Sequence, residues 1–238
     1  MRVSLQSLGC KVNQAEILDL EHALRRGGHE LVGLAERPDV CVVNTCTVTS
    51  KSDYQSRQLI RRAARAGGRV IVTGCYSQMN QDRVSGMDNV HHVVENRDKD
   101  KLIKYIDDKL KVINEPVSRG SRTRYFLKAQ DGCDHSCSYC LVWKARGRSR
   151  SIALGEAIKR ARAAVETGYK EIVLSGVHLG LYGQDLVPRI SLPDLMEEIL
   201  LKTEVSRIRL SSLEINEITP RKDHRPQPPE PLMCASFH

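Results

Sequence analysis

The first half of the chain alternates short apolar runs with amphipathic stretches, a pattern typical of strands and helices in turn. Four of the runs are predicted strands, at residues 2–8, 40–43, 70–73 and 92–94. Apolar residues with helical spacing predict three helices between or after them, at residues 15–26, 51–66 and 98–110. Because strands that alternate with helices form parallel sheets, residues 1–113 are predicted to be an N-terminal parallel-sheet α/β domain.

The same alternation resumes after a predicted linker at residues 114–123. Predicted strands lie at residues 125–130, 171–174 and 207–211, and predicted helices at residues 154–167 and 192–201. Three β/α units in succession predict a partial (β/α) barrel over residues 124–220, in which the loops after the strands carry the chemistry. From residue 221 to residue 238 the periodicity disappears and four prolines exclude regular structure, so a disordered Pro-rich tail is predicted there.

Composition and charge narrow the class of protein. An apolar content of 40% over 238 residues is ordinary for a globular chain with one or two cores. Neither a signal peptide nor a long apolar segment is evident, so we expect a cytoplasmic protein with no membrane span. Lys and Arg outnumber Asp and Glu by 37 to 29, which suits a polyanionic partner, although many basic proteins bind no nucleic acid.

Three closely spaced cysteines form the strongest chemical signal. Cys133, Cys137 and Cys140 stand in a CxxxCxxC spacing after the first predicted strand of the barrel. Three thiolates in one loop can hold three irons of a [4Fe–4S] cluster and leave the fourth iron open to another ligand. Zinc is the less favoured alternative because it normally takes four ligands and His135 is awkwardly placed to supply the fourth. Disulfides at this spacing would be strained, and nothing indicates an oxidising compartment.

A second group of cysteines is distributed over the first domain. Cys10, Cys46 and Cys75 each follow a different predicted strand. Because the carboxyl ends of parallel strands lie at one edge of a sheet, the three thiols are expected to converge as a second three-cysteine site with one open iron. The usual role of a free cysteine is that of a small buried hydrophobe, and we assign that role to Cys41, which lies inside its strand.

Basic residues are concentrated in two stretches. Residues 144–150 contain four cations in seven positions, and the predicted helix at residues 51–66 has a basic face. Such stretches either contact the phosphates of a substrate or are ordinary solvated surface, and the sequence leaves both interpretations open.

Four motifs together resemble those of the methylthiotransferases, enzymes that insert sulfur and a methyl group at an unactivated C–H bond. The motifs are SLGCKVNQ at residues 7–14, VNTCTVT at residues 43–49, TGCY at residues 73–76, and the CxxxCxxC loop. The resemblance covers about residues 2–220 and includes six cysteines at matching places. It implies an N-terminal domain with an auxiliary [4Fe–4S] cluster, followed here by a partial radical S-adenosylmethionine (SAM) barrel.

The resemblance also implies a role for each site residue. Cys10, Cys46 and Cys75 would ligate the auxiliary cluster, and Cys133, Cys137 and Cys140 the SAM cluster. Tyr139 occupies the place from which an aromatic residue packs against the adenine of SAM. The implied partners are the anticodon loop of a tRNA, an electron donor and a sulfur source.

Finer motifs indicate a subgroup. The residues after the first two cysteines, with GVHLG at residues 176–180 and SSLE at residues 211–214, are similar to the MtaB type. That type modifies N6-threonylcarbamoyladenosine at position 37 of tRNA. The alternatives are the MiaB type, which acts on isopentenyladenosine at that position, and a non-catalytic iron–sulfur or zinc module that binds RNA.

The chain departs from the family pattern in two places. Residues 141–147 read LVWKARG where family members commonly have IIPYARG, so different packing is expected there. The resemblance stops near Pro220, after three of the roughly six strands of a complete radical SAM sheet, which leaves an open sheet edge. We therefore expect a C-terminally truncated enzyme with impaired activity and a tail at residues 221–238 that is foreign to the fold.

Overall fold

The computed structural model describes residues 1–108, 123–214, 217 and 234–235. The chain divides into two units, Met1–Val117 with Asp134–Gly147, and Ser118–Cys133 with Arg148–His238. Residues 134–147, which the sequence analysis placed in the second domain, thus belong to the first unit. The predicted linker lies outside the described residues except for its last position, and the predicted domain boundaries stay predictions.

The first unit is built on a five-stranded parallel sheet with the strand order β2-β1-β3-β4-β5. Its strands are β1 (Arg2–Ser7), β2 (Glu30–Leu31), β3 (Val40–Thr45), β4 (Arg69–Gly74) and β5 (Val90–Val94). The predicted parallel α/β fold is confirmed. The edge strand β2 was not predicted because two residues are too short to show a period.

Five α-helices belong to the first unit among its described residues. They are α1 (Lys11–Arg26), α2 (Ser50–Arg65), α3 (Cys75–Met79), α4 (Gln81–Ser85) and α5 (Val142–Arg146). Apolar clusters pack on both faces of the sheet, and all six residues of β3 are buried between them. A strand covered on both faces reads as a continuous apolar run, which is why β3 is evident in the sequence.

The helix predicted over residues 98–110 is corrected by the structure. Asn96–Tyr105 forms a 3₁₀ helix, and the residues after 108 lie outside the described part of the chain. Leu102 and Ile103 are adjacent and both buried in the core, while Asn96 is fixed by the Gln78 side chain through a 2.9 Å hydrogen bond to its backbone N–H. Tertiary contacts at both ends therefore override the local preference for an α-helix.

The second unit contains a four-stranded parallel sheet with the order β11-β10-β9-β6 and a two-stranded antiparallel pair, β7-β8. The strands are β6 (Arg124–Lys128), β7 (Gln130–Asp131), β8 (Arg150–Ser151), β9 (Glu171–Ser175), β10 (Arg207–Leu210) and β11 (Cys234–Ala235), and the helices are α6 (Leu154–Glu166) and α7 (Leu192–Lys202). Successive β/α units confirm the predicted partial barrel. The single strand predicted over residues 125–130 is divided into β6 and the start of β7.

The C-terminal segment was predicted to have no regular structure. Its residues Cys234–Ala235 instead form the short strand β11 beside β10, and the rest of residues 221–238 lies outside the described residues. Throughout the described part of the chain, no helix combines the length and the apolar character needed to cross a membrane.

Candidate functional site

Three cysteines of the first unit lie at one edge of its sheet. Ser7 pairs with Asn44 and Asn44 with Thr73, so the ends of β1, β3 and β4 are in register. Cys10 immediately precedes α1, Cys46 follows β3, and Cys75 is the first residue of α3 after β4. The parallel register therefore brings together the three thiols that the sequence analysis expected to converge.

Two glycines allow the backbone to pass close to these cysteines. Gly9 has φ +103°, and a Cβ added there would lie 2.8 Å from Cys46 Sγ. Gly74 has φ +104°, and its Cβ would lie 2.3 Å from the Thr45 carbonyl oxygen. Both positions combine the left-handed region with a close approach that only glycine tolerates. This explains why a glycine precedes Cys10 and Cys75 in the sequence.

The environment of Cys46 is buried and hydrogen-bonded. Burial raises the pKa of Cys46, and the nearby thiols of Cys75 and Cys10 act in the same direction. Ser56 fixes the backbone here, since its Oγ accepts from the Cys46 N–H at 3.2 Å and donates to the Cys46 carbonyl at 2.9 Å. The raised pKa of Cys46 favours the protonated thiol, which must release its proton to bind a metal.

A buried network of charges lies next to Cys75. Arg146 donates from Nε to Cys75 Sγ at 3.3 Å and through Nη2 to Asn13 Oδ1 at 2.6 Å. Its Nη1 pairs with Glu16 Oε1 at 2.9 Å, and Lys99 Nζ reaches the other oxygen of Glu16 at 2.5 Å. The side chains of Arg146, Glu16 and Lys99 are 1%, 7% and 9% exposed. The network thus places two cations and one carboxylate beside a candidate ligand.

The structure changes the interpretation of the basic stretch at residues 144–150. Arg146 is buried in the network, whereas Lys144, Arg148 and Arg150 are exposed. Arg146 is therefore neither solvated surface nor available to a phosphate. Sequence reasoning missed its role, and that of Glu16 and Lys99, because their pairing depends on contacts between distant parts of the chain.

Two cysteines of the CxxxCxxC loop belong to the first unit. Cys137 and Cys140 are partly exposed, and the Cys140 N–H donates to the Cys137 carbonyl at 3.0 Å, which closes a turn. Tyr139 in this turn is 88% exposed. Its predicted packing against the adenine of SAM stays a prediction.

The first cysteine of that loop, Cys133, belongs to the second unit. Its Sγ lies 3.6 Å from Nδ1 of His178, and Nε2 of the same ring lies 2.5 Å from Glu217 Oε1. Gln130 accepts the backbone N–H of His178 at 2.9 Å and donates to the Gly132 carbonyl at 2.6 Å. Sequence reasoning did not assign a site role to His178. Its signal was the GVHLG motif at residues 176–180, which directly follows β9.

The free thiols of Cys10, Cys46 and Cys75 fit an iron–sulfur cluster as a donor set. The seven cysteines whose side chains the structure describes are all free, so no disulfide forms among them. The motifs that contain Cys10, Cys46 and Cys75 offer no fourth cysteine. Three thiols suit a [4Fe–4S] cluster with one open iron. The ligand roles of all six candidate cysteines stay predictions.

Two family models match separate parts of the chain. The model of Uncharacterized protein family UPF0004 matches residues 2–95, and that of the Radical SAM superfamily matches residues 127–226. The Bacillus subtilis protein named Threonylcarbamoyladenosine tRNA methylthiotransferase MtaB is 38% identical, over 91% of this chain and 52% of its own length. The Aquifex aeolicus protein of the same name is 34% identical, over 92% of this chain and 57% of its own length.

The chain thus carries a UPF0004 region and a Radical SAM region, and curated relatives similar to it are named as methylthiotransferases. The resemblance read from the motifs is thereby confirmed. The chain spans about half the length of the curated relatives it matches.

A solved structure has a similar fold. The radical S-adenosylmethionine methyltransferase TsrM from Kitasatospora setae superposes with a TM-score of 0.56 at 13% identity, covering 88% of this chain and 53% of TsrM. Similarity at this level of identity concerns the fold alone.

Proposed function

We propose that this chain is a tRNA-modifying enzyme of the MtaB type, which methylthiolates C2 of N6-threonylcarbamoyladenosine at position 37. The convergence of Cys10, Cys46 and Cys75 at one sheet edge is the observation that carries the proposal. Identity to two proteins of that name supports the choice of substrate. The protein would act in the cytoplasm, with an electron donor and a sulfur source supplied by partners.

Two sets of cysteines would hold two [4Fe–4S] clusters. Cys10, Cys46 and Cys75 would hold the auxiliary cluster, and Cys133, Cys137 and Cys140 the SAM cluster. With SAM bound, the latter would supply the one-electron chemistry that activates a C–H bond. The exposed ring of Tyr139 would stack on the adenine of SAM and orient it.

The tRNA would contact the exposed basic surface. On α2, the side chains of Arg61, Arg62 and Arg65 are exposed, whereas Ser56 and Ile60 face the core. Cations on a helix face attract phosphates, and an anticodon loop offers unstacked bases that an enzyme can draw into a pocket.

Metal content provides the first test of the proposal. After anaerobic reconstitution, we expect about eight irons per chain, and about four after Cys10, Cys46 and Cys75 are all changed to Ala. Cys41→Ala is the matched control and should retain about eight. Stoichiometric zinc in place of iron would instead support the RNA-binding module.

Turnover is tested by the modified nucleoside itself. Mass spectrometry of tRNA from cells lacking the gene should show loss of the methylthio derivative of threonylcarbamoyladenosine, restored by the wild-type gene and not by Cys137→Ala. Loss of methylthio-isopentenyladenosine instead would assign the MiaB type. Intact clusters without cleavage of SAM to 5′-deoxyadenosine would favour the non-catalytic module.

A further inference from the structure

Arg146 connects the CxxxCxxC loop to the three-cysteine site within the first unit. The residue lies at the end of α5, in the segment Asp134–Gly147 that also carries Cys137 and Cys140. Its guanidinium donates from Nε to Cys75 Sγ at 3.3 Å. The Arg146 side chain therefore connects Cys75, a candidate ligand of the auxiliary cluster, to the chain segment that carries Cys137 and Cys140, candidate ligands of the SAM cluster.

The other nitrogens of the guanidinium fix its orientation. Nη1 donates to Glu16 Oε1 at 2.9 Å, and Nη2 to Asn13 Oδ1 at 2.6 Å. Both acceptors lie on α1, the helix that begins directly after Cys10. The guanidinium is therefore anchored on the helix that begins at the site. Arginine presents these donors in a rigid plane, and lysine has no equivalent geometry.

The short helix α5 is held at a second point. Asn96 Nδ2 donates to the Ala145 carbonyl at 2.7 Å. Because the side chain of Arg146 is only 1% exposed, water cannot readily replace its hydrogen bonds. The position of Nε against Cys75 is thus determined by the buried surroundings.

We propose that Arg146 is a positioning residue that sets the reduction potential of the auxiliary cluster through Cys75 and fixes the end of the CxxxCxxC loop. The proposal rests on the proposed function, in which Cys75 ligates that cluster. Hydrogen bonds to cluster sulfurs and nearby positive charge stabilise the reduced, more negative cluster. Arg146 therefore makes the auxiliary cluster easier to reduce.

The test isolates the auxiliary cluster in the 238-residue chain. Cys133, Cys137 and Cys140 are changed to Ala together, and the reconstituted protein is titrated by redox potentiometry with electron paramagnetic resonance detection. In this background, Arg146→Met should shift the potential to more negative values, because it removes both the charge and the bond to sulfur. Arg146→Lys should give a smaller shift, because the charge remains. Lys144→Met, an exposed cation on the same helix, should leave the potential unchanged.

A second readout needs no metal. Hydrogen exchange of the apo protein should be faster over residues 134–147 in both Arg146 variants, and unchanged there in Lys144→Met. If the auxiliary trio holds a cluster but its potential is the same in all variants, the inference about Arg146 is wrong and the proposed function stands. If the wild-type trio holds no cluster, the proposed function fails and this inference fails with it. Should Arg146→Met not fold, the Arg146→Lys potential decides between these outcomes.

Discussion

Removal of the Glu16 carboxylate is the most direct test of the buried network. Glu16→Gln keeps the size of the side chain and eliminates its charge. Arg146 and Lys99 both pair with this carboxylate, and their side chains are 1% and 9% exposed. The substitution therefore leaves two cations facing each other in a buried environment without the anion that holds them.

The expected cost follows from the burial of the group. Breaking a buried ion pair by removing one partner costs about 3 to 5 kcal/mol, since the remaining charge cannot be solvated. Glu21→Gln on the same helix is the control, because Glu21 pairs with Arg25 at 3.1 Å and the Arg25 side chain is 43% exposed. Exposed i,i+4 pairs contribute only about 0.3 to 0.5 kcal/mol.

Hydrogen exchange of β1 and β3 amides in the apo protein measures the opening of the first unit directly. A loss of about 3 to 5 kcal/mol corresponds to roughly two to four powers of ten in the exchange rate, against less than about threefold for Glu21→Gln. Adding Lys99→Met to Glu16→Gln should recover part of the loss, because one of the two stranded cations is removed. Equal exchange in the Glu16 and Glu21 variants would refute the reasoning.

Three further changes probe the sheet edge and its surroundings. Burial raises the pKa of Cys41 to about 11 from its usual 9.0, so the unfolded chain ionises first and stability should fall by about 2 to 3 kcal/mol as the pH rises through this window. Cys41→Val should remove this contribution and leave those of Cys46 and Tyr182, whose pKa values burial also raises. Gly74→Ala, at φ +104° and 2.3 Å from the Thr45 oxygen, should lower the unfolding free energy by more than about 2 kcal/mol and reduce iron binding. Thr49→Ala should cost about 1 kcal/mol, because it removes the acceptor of the Ser52 N–H at the start of α2.

Each of these predictions has its own contrary result. A Cys41→Val protein that loses as much stability as the wild type over this pH range would show that other groups cause the whole loss. Gly67→Ala is the control for Gly74→Ala. Gly67 also has a positive φ, +94°, but a Cβ added there has nothing within 4 Å, so this variant tests the backbone strain without a steric clash. Equal costs at the two glycines would exclude the close approach as the cause. For Thr49, urea denaturation monitored by circular dichroism should show the loss, and a Thr49→Ser protein should retain wild-type stability.

The strand ends at the candidate site were accessible from sequence because they depend on local pattern. A buried strand such as β3 consists of consecutive apolar residues, and the cysteines directly follow such strands. A parallel sheet then places them at one edge whatever the details of packing. The 3₁₀ helix Asn96–Tyr105 was mispredicted because its form depends on contacts with the core and with Gln78.

The sequence by itself determined the parallel α/β architecture, the convergence of Cys10, Cys46 and Cys75, and the resemblance to the methylthiotransferases, since each is written in short-range periodicity or in motif spacing. Only the tertiary structure decided that Arg146 leaves the basic surface and is buried against Glu16, which lies 130 positions earlier in the chain. The physical reason is that a charged side chain is buried only where a partner compensates its desolvation, and no local pattern specifies that partner.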